Sequence, residues 1–331
     1  MAKRVGIVGI GIMGTAMMRN LAKDGFEVVG FDVAEAAMQR LAEAGGIAAS
    51  SPRDVAERVE ILITSLPSVD AFEQVTSGQG GIASSNGKGQ IVIECSTLPL
   101  EAKERGRATL AGQGKILLDC PVSGTGAQAA RKDLVVFCSG DEAAFERAKE
   151  VLTGMSRAQR YVGPFGHGSK MKFIANHLVT IHNLSTAEAL VLGQRAGLDP
   201  ALVLDVIGDS AGTSRMFQVR GPMMVAGQYD QPTATMETHL KDIDIIGTFA
   251  VELHCPTPLF TASAQFYYAG VAQGRGGQDT AAVCAVLEKL AGIERKGRGP
   301  SSASAPAQSA KVTSERGILS LESADRPKPR K

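Results

Sequence analysis

Cysteine is scarce and badly placed for pairing in this chain. Five cysteines are scattered over 331 residues, at Cys95, Cys120, Cys138, Cys255 and Cys284, with no CxxC spacing. That excludes a disulfide framework and a zinc ribbon, and predicts reduced thiols in a cytoplasmic protein. The five histidines show no metal-ligand spacing, so no metal site is expected. Charge of one sign is also missing: 35 Lys and Arg stand against 34 Asp and Glu, a net charge of +1. Neither a nucleic acid nor a membrane surface is an expected partner. No apolar run is long enough to span a bilayer. Lys3-Arg4 before an apolar stretch imitates a secretion signal, but no small-residue cleavage site follows. Internal repeats are absent.

What is present starts at the first strand. Val5 to Val8 is a short apolar run that breaks into Gly9-Ile10-Gly11-Ile12-Met13-Gly14. A helical pattern follows, with Met13, Ala16, Met17 and Leu21 on one face and Gly25 as its stop. In such a strand–turn–helix the first glycine permits the turn. The second admits a pyrophosphate, and the third lets helix pack on strand. The helix N-terminus offers free N–H groups to the phosphates. A second apolar run, Glu27 to Phe31, ends in Asp32, eighteen residues after Gly14. An acid there can accept hydrogen bonds from ribose hydroxyls. This context predicts dinucleotide binding. Asp32 with no arginine beside it favours NAD over NADP, and Arg40 is placed too far along the next helix to count against that.

Strand and helix then alternate. Glu60–Ser65, Gln90–Cys95, Lys115–Asp119, Leu134–Cys138 and Ala158–Val162 read as strands, and the expected fold is a doubly wound, mainly parallel α/β sheet. Gly9, Asp32, Leu66-Pro67 and Thr97 fall at carboxyl ends of strands, where ligands bind such sheets. From Gly166 strand patterns vanish. One helix is expected from about Ser169 to Ala196, roughly 40 Å long, and its only charged residue between Phe173 and Gln194 is Glu188. So apolar a helix is expected to lie between domains or subunits. Further helices run to about Gly292. The expected domains are 1–164, 165–292 (all-helical) and a basic, Ser/Ala/Pro-rich tail, 293–331, read as disordered.

Two stretches could carry chemistry. Around Ser123 and Gly124, after Pro121, successive N–H groups can form an anion-binding concavity that suits a carboxylate. An ordinary turn fits that stretch equally well. Lys172 and Asn176 are four apart, so they share a helix face. An ammonium facing a nicotinamide could exchange a proton with a hydroxyl. By spacing alone, two solvated polar residues would be the better reading.

Four motifs in order change this: Gly9-x-Gly11-x-Met13-Gly14, Pro121-Val122-Ser123-Gly124, Gly166-x-Gly168-x-x-x-Lys172-x-x-x-Asn176, and Lys241-Asp242. Over residues 4 to 291 the chain resembles the β-hydroxyacid dehydrogenases, which include 3-hydroxyisobutyrate dehydrogenase and 2-hydroxy-3-oxopropionate reductase. The resemblance implies a Rossmann domain and a helical domain joined by the long helix, assembled as homodimers or homotetramers. It implies reversible NAD-dependent hydride transfer on a small β-hydroxy acid or its semialdehyde. Lys172 would be the acid/base group and Asn176 its partner. Ser123, Gly124 and Thr125 would hold the substrate carboxylate. Gly9, Gly11, Ile12, Met13, Gly14, Asp32, Leu66, Pro67, Thr97 and Lys241 would meet the cofactor. Ala175 stands where many members have a second Asn, and Thr125 where many have Gly. A decarboxylating 6-phosphogluconate dehydrogenase is disfavoured, because Ala175 and Val179 replace that family's His and Glu. Lys172 argues against an imine reductase. A non-catalytic relative using the basic tail as a partner-binding arm is the remaining alternative.

Overall fold

The protein is described from a computed structural model covering residues 3–295. Of the tail expected over 293–331, residues 296–331 lie outside the described residues. In chain order the elements begin β1 (Arg4–Val8), α1 (Ile12–Lys23), β2 (Glu27–Phe31), α2 (Glu35–Glu43), β3 (Ile47–Ala48), α3 (Pro52–Arg58), β4 (Ile61–Thr64), α4 (Val69–Ser77), β5 (Ile91–Glu94), α5 (Leu100–Ala111) and β6 (Ile116–Asp119). All six strands pair in parallel, in the order β3-β2-β1-β4-β5-β6. The order reverses between β1 and β4, and the crevice at such a switch point is where dinucleotides bind. The strands read as continuous apolar runs because both faces are covered. Ile91 and Ile93 pack with α1 residues Met17 and Leu21, while Val92 packs on the other face with Phe72 and Leu110.

The next elements are β7 (Val122–Ser123), α6 (Gly126–Ala130), β8 (Val135–Cys138), α7 (Glu142–Met155) and β9 (Ala158–Tyr161). Here the structure departs from the expectation of one sheet. Strands β7-β8-β9 form their own small sheet, with β7 antiparallel to β8 and β9 parallel to it. An isolated bridge, Asp119 to Ser139, ties it to the end of β6. Val122–Ser123 is therefore a short strand and not only a loop.

The remainder is helical: α8 (His167–Arg195), α9 (Pro200–Gly208), α10 (Arg215–Ala226), α11 (Met236–Glu252), α12 (Pro258–Ala272) and α13 (Val283–Leu290). Asp279 caps a single 3₁₀ turn ahead of α13, accepting from Ala281 N–H, and pairs with Arg220 at 2.5 Å. Helix α8 starts two residues before its expected position. One stripe of it, Phe173, Asn176, Thr180, Asn183, Leu184, Ala187 and Leu190, is buried. Other apolar positions on it, Ile174, Leu178 and Leu192 among them, are exposed. Among the described residues, no helix is long and apolar enough to cross a membrane.

Candidate active site

The glycine turn is built as the sequence implies. A Cβ at Gly14 would lie 2.0 Å from Gly9 O, so only glycine lets α1 sit this close to β1. Gly11 is the N-cap of α1 and no side chain caps the helix. Nothing stands within 4 Å of an added Gly11 Cβ, and Ile12 beside it is 74% exposed. Uncapped N–H groups facing open space are what a pyrophosphate requires. Met13 packs partly against the core. The residues present therefore fit a dinucleotide.

Asp32 follows β2 and closes on the same turn. Its carboxylate accepts from Ile10 N–H at 2.6 Å and from Ala34 N–H at 2.8 Å. Arg40 does reach this place, against the expectation from sequence. Its guanidinium donates to Ile10 O at 2.9 Å and to Thr15 Oγ1 at 3.3 Å. The long side chain reaches from α2 back over the glycine turn, so an arginine and the acid both bond to Ile10. On the far side of the switch point, Leu66 N–H donates to Ser96 Oγ at 2.8 Å. That bond joins the loop of Leu66 and exposed Pro67 to the loop of Thr97.

The stretch from Pro121 to Gly126 lies between this turn and α8. A Cβ at Gly126 would meet Ile12 Cγ2 at 2.6 Å, and one at Gly168 would meet Pro121 Cδ at 3.1 Å. Ser123 and Gly124 are half-buried. Thr125 caps α6 in a reciprocal pair with Gln128, its N–H donating to Gln128 Oε1 at 3.0 Å. Thr125 thus offers a ligand its hydroxyl proton but not its N–H.

Lys172 and Asn176 sit on α8 as the four-residue spacing requires, the first half-buried and the second buried. Helix α11 brings its Lys241-Asp242 pair to them. Asn176 Nδ2 donates to Asp242 Oδ2 at 2.7 Å, and Lys241 Nζ lies 3.4 Å from Asp242 Oδ1. Lys241 Nζ also donates to Thr97 O at 2.8 Å, linking the helical part to a cofactor loop 144 residues away. Burial pushes the Lys172 ammonium below its ordinary value. The Asp242 carboxylate pulls it back up and Lys241 pushes it down again. A cavity of about 190 Å³ lined by Pro99, Leu100, Phe173 and Phe249 borders α5, α8 and α11 but holds none of the predicted site residues.

Several residues escaped the sequence reading. Asp242 was visible only as part of a motif, and its hold on Asn176 was not. Glu94, Lys103, Asp119, Ser139 and Ser169 form a buried polar network beneath the site. The available signal was a carboxylate ending each of two adjacent buried strands, Glu94 and Asp119, which stand opposite each other in register.

Known proteins resemble the chain in sequence and fold. The profile of the NAD binding domain of 6-phosphogluconate dehydrogenase matches residues 4–163. That described as the NAD-binding domain of NADP-dependent 3-hydroxyisobutyrate dehydrogenase matches residues 166–287. L-Threonate dehydrogenase of Cupriavidus necator is 34% identical over 90% of this chain and 99% of its own length. 2-(Hydroxymethyl)glutarate dehydrogenase of Eubacterium barkeri is 30% identical over 89% and 98%. The crystal structure of a 3-hydroxyisobutyrate dehydrogenase from Salmonella typhimurium superposes with a TM-score of 0.78 at 31% identity, over 86% of this chain and 99% of that one. With a match over nine-tenths of the chain at this identity, and a matching profile over each half, the chain belongs to the β-hydroxyacid dehydrogenase family of NAD(P)-dependent oxidoreductases.

Proposed function

We propose that the protein oxidises a small β-hydroxy acid reversibly, with Lys172 as general acid/base. The observation that carries this is the meeting of α8 and α11 at a cofactor loop: Asn176 on Asp242, and Lys241 on Thr97. A bound nicotinamide cofactor would supply the hydride acceptor for oxidation of the hydroxyl carbon and the hydride donor for the reverse reduction. The turn at Gly9, Gly11, Ile12, Met13 and Gly14, with Asp32, Leu66, Pro67 and Thr97, would hold that cofactor. Lys172, as the neutral amine, takes the hydroxyl proton during oxidation and gives it back during reduction. A value lowered by burial leaves more of the amine free at a given pH, which favours the base role. Asn176, held by Asp242, orients the hydroxyl and the lysine. Ser123, Gly124 and the Thr125 hydroxyl bind the carboxylate. Residues 1–164 serve the cofactor, and residues 165–292 shape the substrate pocket and the contacts between copies. Helix α9 buries none of its residues and exposes Leu202 and Val206, which supports a homodimer or homotetramer. The absence of paired cysteines supports a cytoplasmic setting.

The family relatives make L-threonate, 3-hydroxyisobutyrate and 2-(hydroxymethyl)glutarate the first acids to try. Asp32 supports NAD, while Arg40, bonded to the same Ile10, weakens the charge argument against NADP. The experiment is NADH or NADPH absorbance with that panel, on wild type and Lys172→Ala. Lys172→Ala should lose about 10²–10⁴-fold in kcat and keep its cofactor affinity. Near-normal turnover in that variant would refute the role given to the lysine.

A further inference from the structure

Helix α8 carries Lys172 and has no cap of its own. Its N-cap is Gly166, at φ 89° and without a side-chain hydrogen bond. Its first N–H groups are nonetheless taken. Gly168 N–H donates to Ser139 Oγ at 2.9 Å, and Ser169 N–H to Asp119 Oδ2 at 2.8 Å. Ser169 Oγ adds a bond to Asp119 Oδ1 at 2.8 Å. The acceptors belong to the ends of β6 and β8, so the helix is capped by distant residues.

Asp119 is itself locked in place. Asp119, Lys103 and Glu94 are all 0% exposed. Lys103 Nζ donates to Asp119 Oδ1 at 2.8 Å and to Ser96 O at 2.7 Å, and lies 4.0 Å from Glu94 Oε1. Ser139 Oγ donates to Asp119 Oδ2 at 3.2 Å. Glu94 accepts from Ser96 N–H at 2.6 Å and from the Thr64 hydroxyl. Through Ser96 Oγ the network reaches Leu66 N–H. Burial opposes the charge on Lys103, but the two carboxylates more than offset it, and the ammonium titrates above its ordinary value. Two carboxylates against one ammonium leave a net negative charge, which the positive end of the α8 dipole complements. Buried ion pairs are weak sources of stability compared with well-packed apolar residues. What this one does provide is one rigid junction of β5, β6, both cofactor loops and the start of the lysine helix.

We propose that Asp119 is a positioning residue for the reaction: held by Lys103, it anchors the N-terminus of α8 and so sets where Lys172 stands relative to the cofactor loops. The proposal rests on the reading of Lys172 as the acid/base group. Lys172 is three residues beyond Ser169, less than one helical turn from the anchored N–H. A displacement there passes directly to its amine, and proton transfer is sensitive to such displacements.

The test is Asp119→Asn, which keeps the shape but removes the charge and sets an amide donor among groups that already donate. Ser139→Ala is the second variant, removing the acceptor of Gly168 N–H and a donor to Asp119 while leaving the Asp119 carboxylate in place. Both are measured beside Lys172→Ala, using the panel acid with the highest kcat/KM in wild type and NADH fluorescence for cofactor binding. Asp119→Asn should lose about tenfold or more in kcat, with NADH affinity and KM changed by less than about threefold. Ser139→Ala should lose about threefold to tenfold in kcat on the same grounds, and it decides the matter if circular dichroism shows Asp119→Asn unfolded. If the deciding variant keeps kcat within about twofold while Lys172→Ala is impaired, the anchor is overturned and the lysine assignment stands. A kcat loss matched by an equal loss of NADH affinity also overturns it, since the damage is then general. Turnover by Lys172→Ala, or no turnover with any acid, overturns the parent reading and this one with it.

Discussion

Replacing Gly168 by alanine should damage catalysis more than stability. An alanine Cβ there would lie 2.4 Å from Phe137 O and 2.6 Å from Asp119 O. An ordinary contact needs about 3.4 Å, so each carbonyl is too close by roughly 1 Å or slightly less. Both obstructing atoms are strand backbone and cannot rotate aside as a side chain would. Relief must come from the start of α8 moving away from β6 and β8. Overpacking of this kind costs about 1–3 kcal/mol, which a chain of this size can survive folded. A shift of about 1 Å at a reacting group can cost about 10²-fold in rate, and Lys172 lies four residues further on. The expected outcome is a fall of about two orders of magnitude in kcat, with NADH binding nearly retained because the glycine turn is untouched. Steady-state NADH absorbance, NADH fluorescence titration and a thermal melt measure the three quantities. Wild-type kcat together with an unchanged melting temperature would show that the close approach of helix to strand ends is wrong.

Three further outcomes follow from the same contacts. Gly247, inside α11 with nothing within 4 Å of an added Cβ, is the opposite case: Gly247→Ala should stabilise by about 0.5–1 kcal/mol, and a lower melting temperature would contradict the space seen there. His239 is buried, bonded to Thr180 Oγ1 at 2.9 Å and pushed down to about 4, chiefly by burial. It is neutral in the folded state and protonates more readily when unfolded. Its contribution is therefore complete above about pH 6.5 and is lost as pH falls toward 4, a difference of about 3 kcal/mol. In denaturant unfolding, His239→Gln should flatten that part of the pH dependence, and equal slopes for the two proteins would refute the assignment. Asp242 raises Lys172, so Asp242→Asn should lower it. The rise of kcat with pH in the oxidation direction, which follows deprotonation of Lys172, should then move to lower pH. A move upward would contradict the placement of the carboxylate.

Local signals made most of the elements readable. Strands β1, β4, β5 and β6 are covered on both faces, so each appears as an unbroken apolar run, and the acid after β2 completes a turn whose chemistry is contained in thirty residues. The same signals identified β8 and β9 as strands and could not say which sheet they join. Pairing is decided by segments far apart, and the bridge from Asp119 to Ser139 turns them into a sheet of their own. Arg40 was misplaced for a similar reason: distance along α2 hid the reach of a long side chain back over the turn.

By itself, then, the sequence determined a dinucleotide turn, an alternating α/β half, an all-helical half and a lysine sharing a helix face with an asparagine. These depend on periodicity, glycine geometry and spacing within a few residues. Only the tertiary structure decided which groups act on that lysine. Asp242 and Lys241 come from another helix, and Asp119 caps α8 from the end of a strand fifty residues upstream. Charge and hydrogen bonding act through space. A side chain's chemistry depends on neighbours that chain order does not disclose.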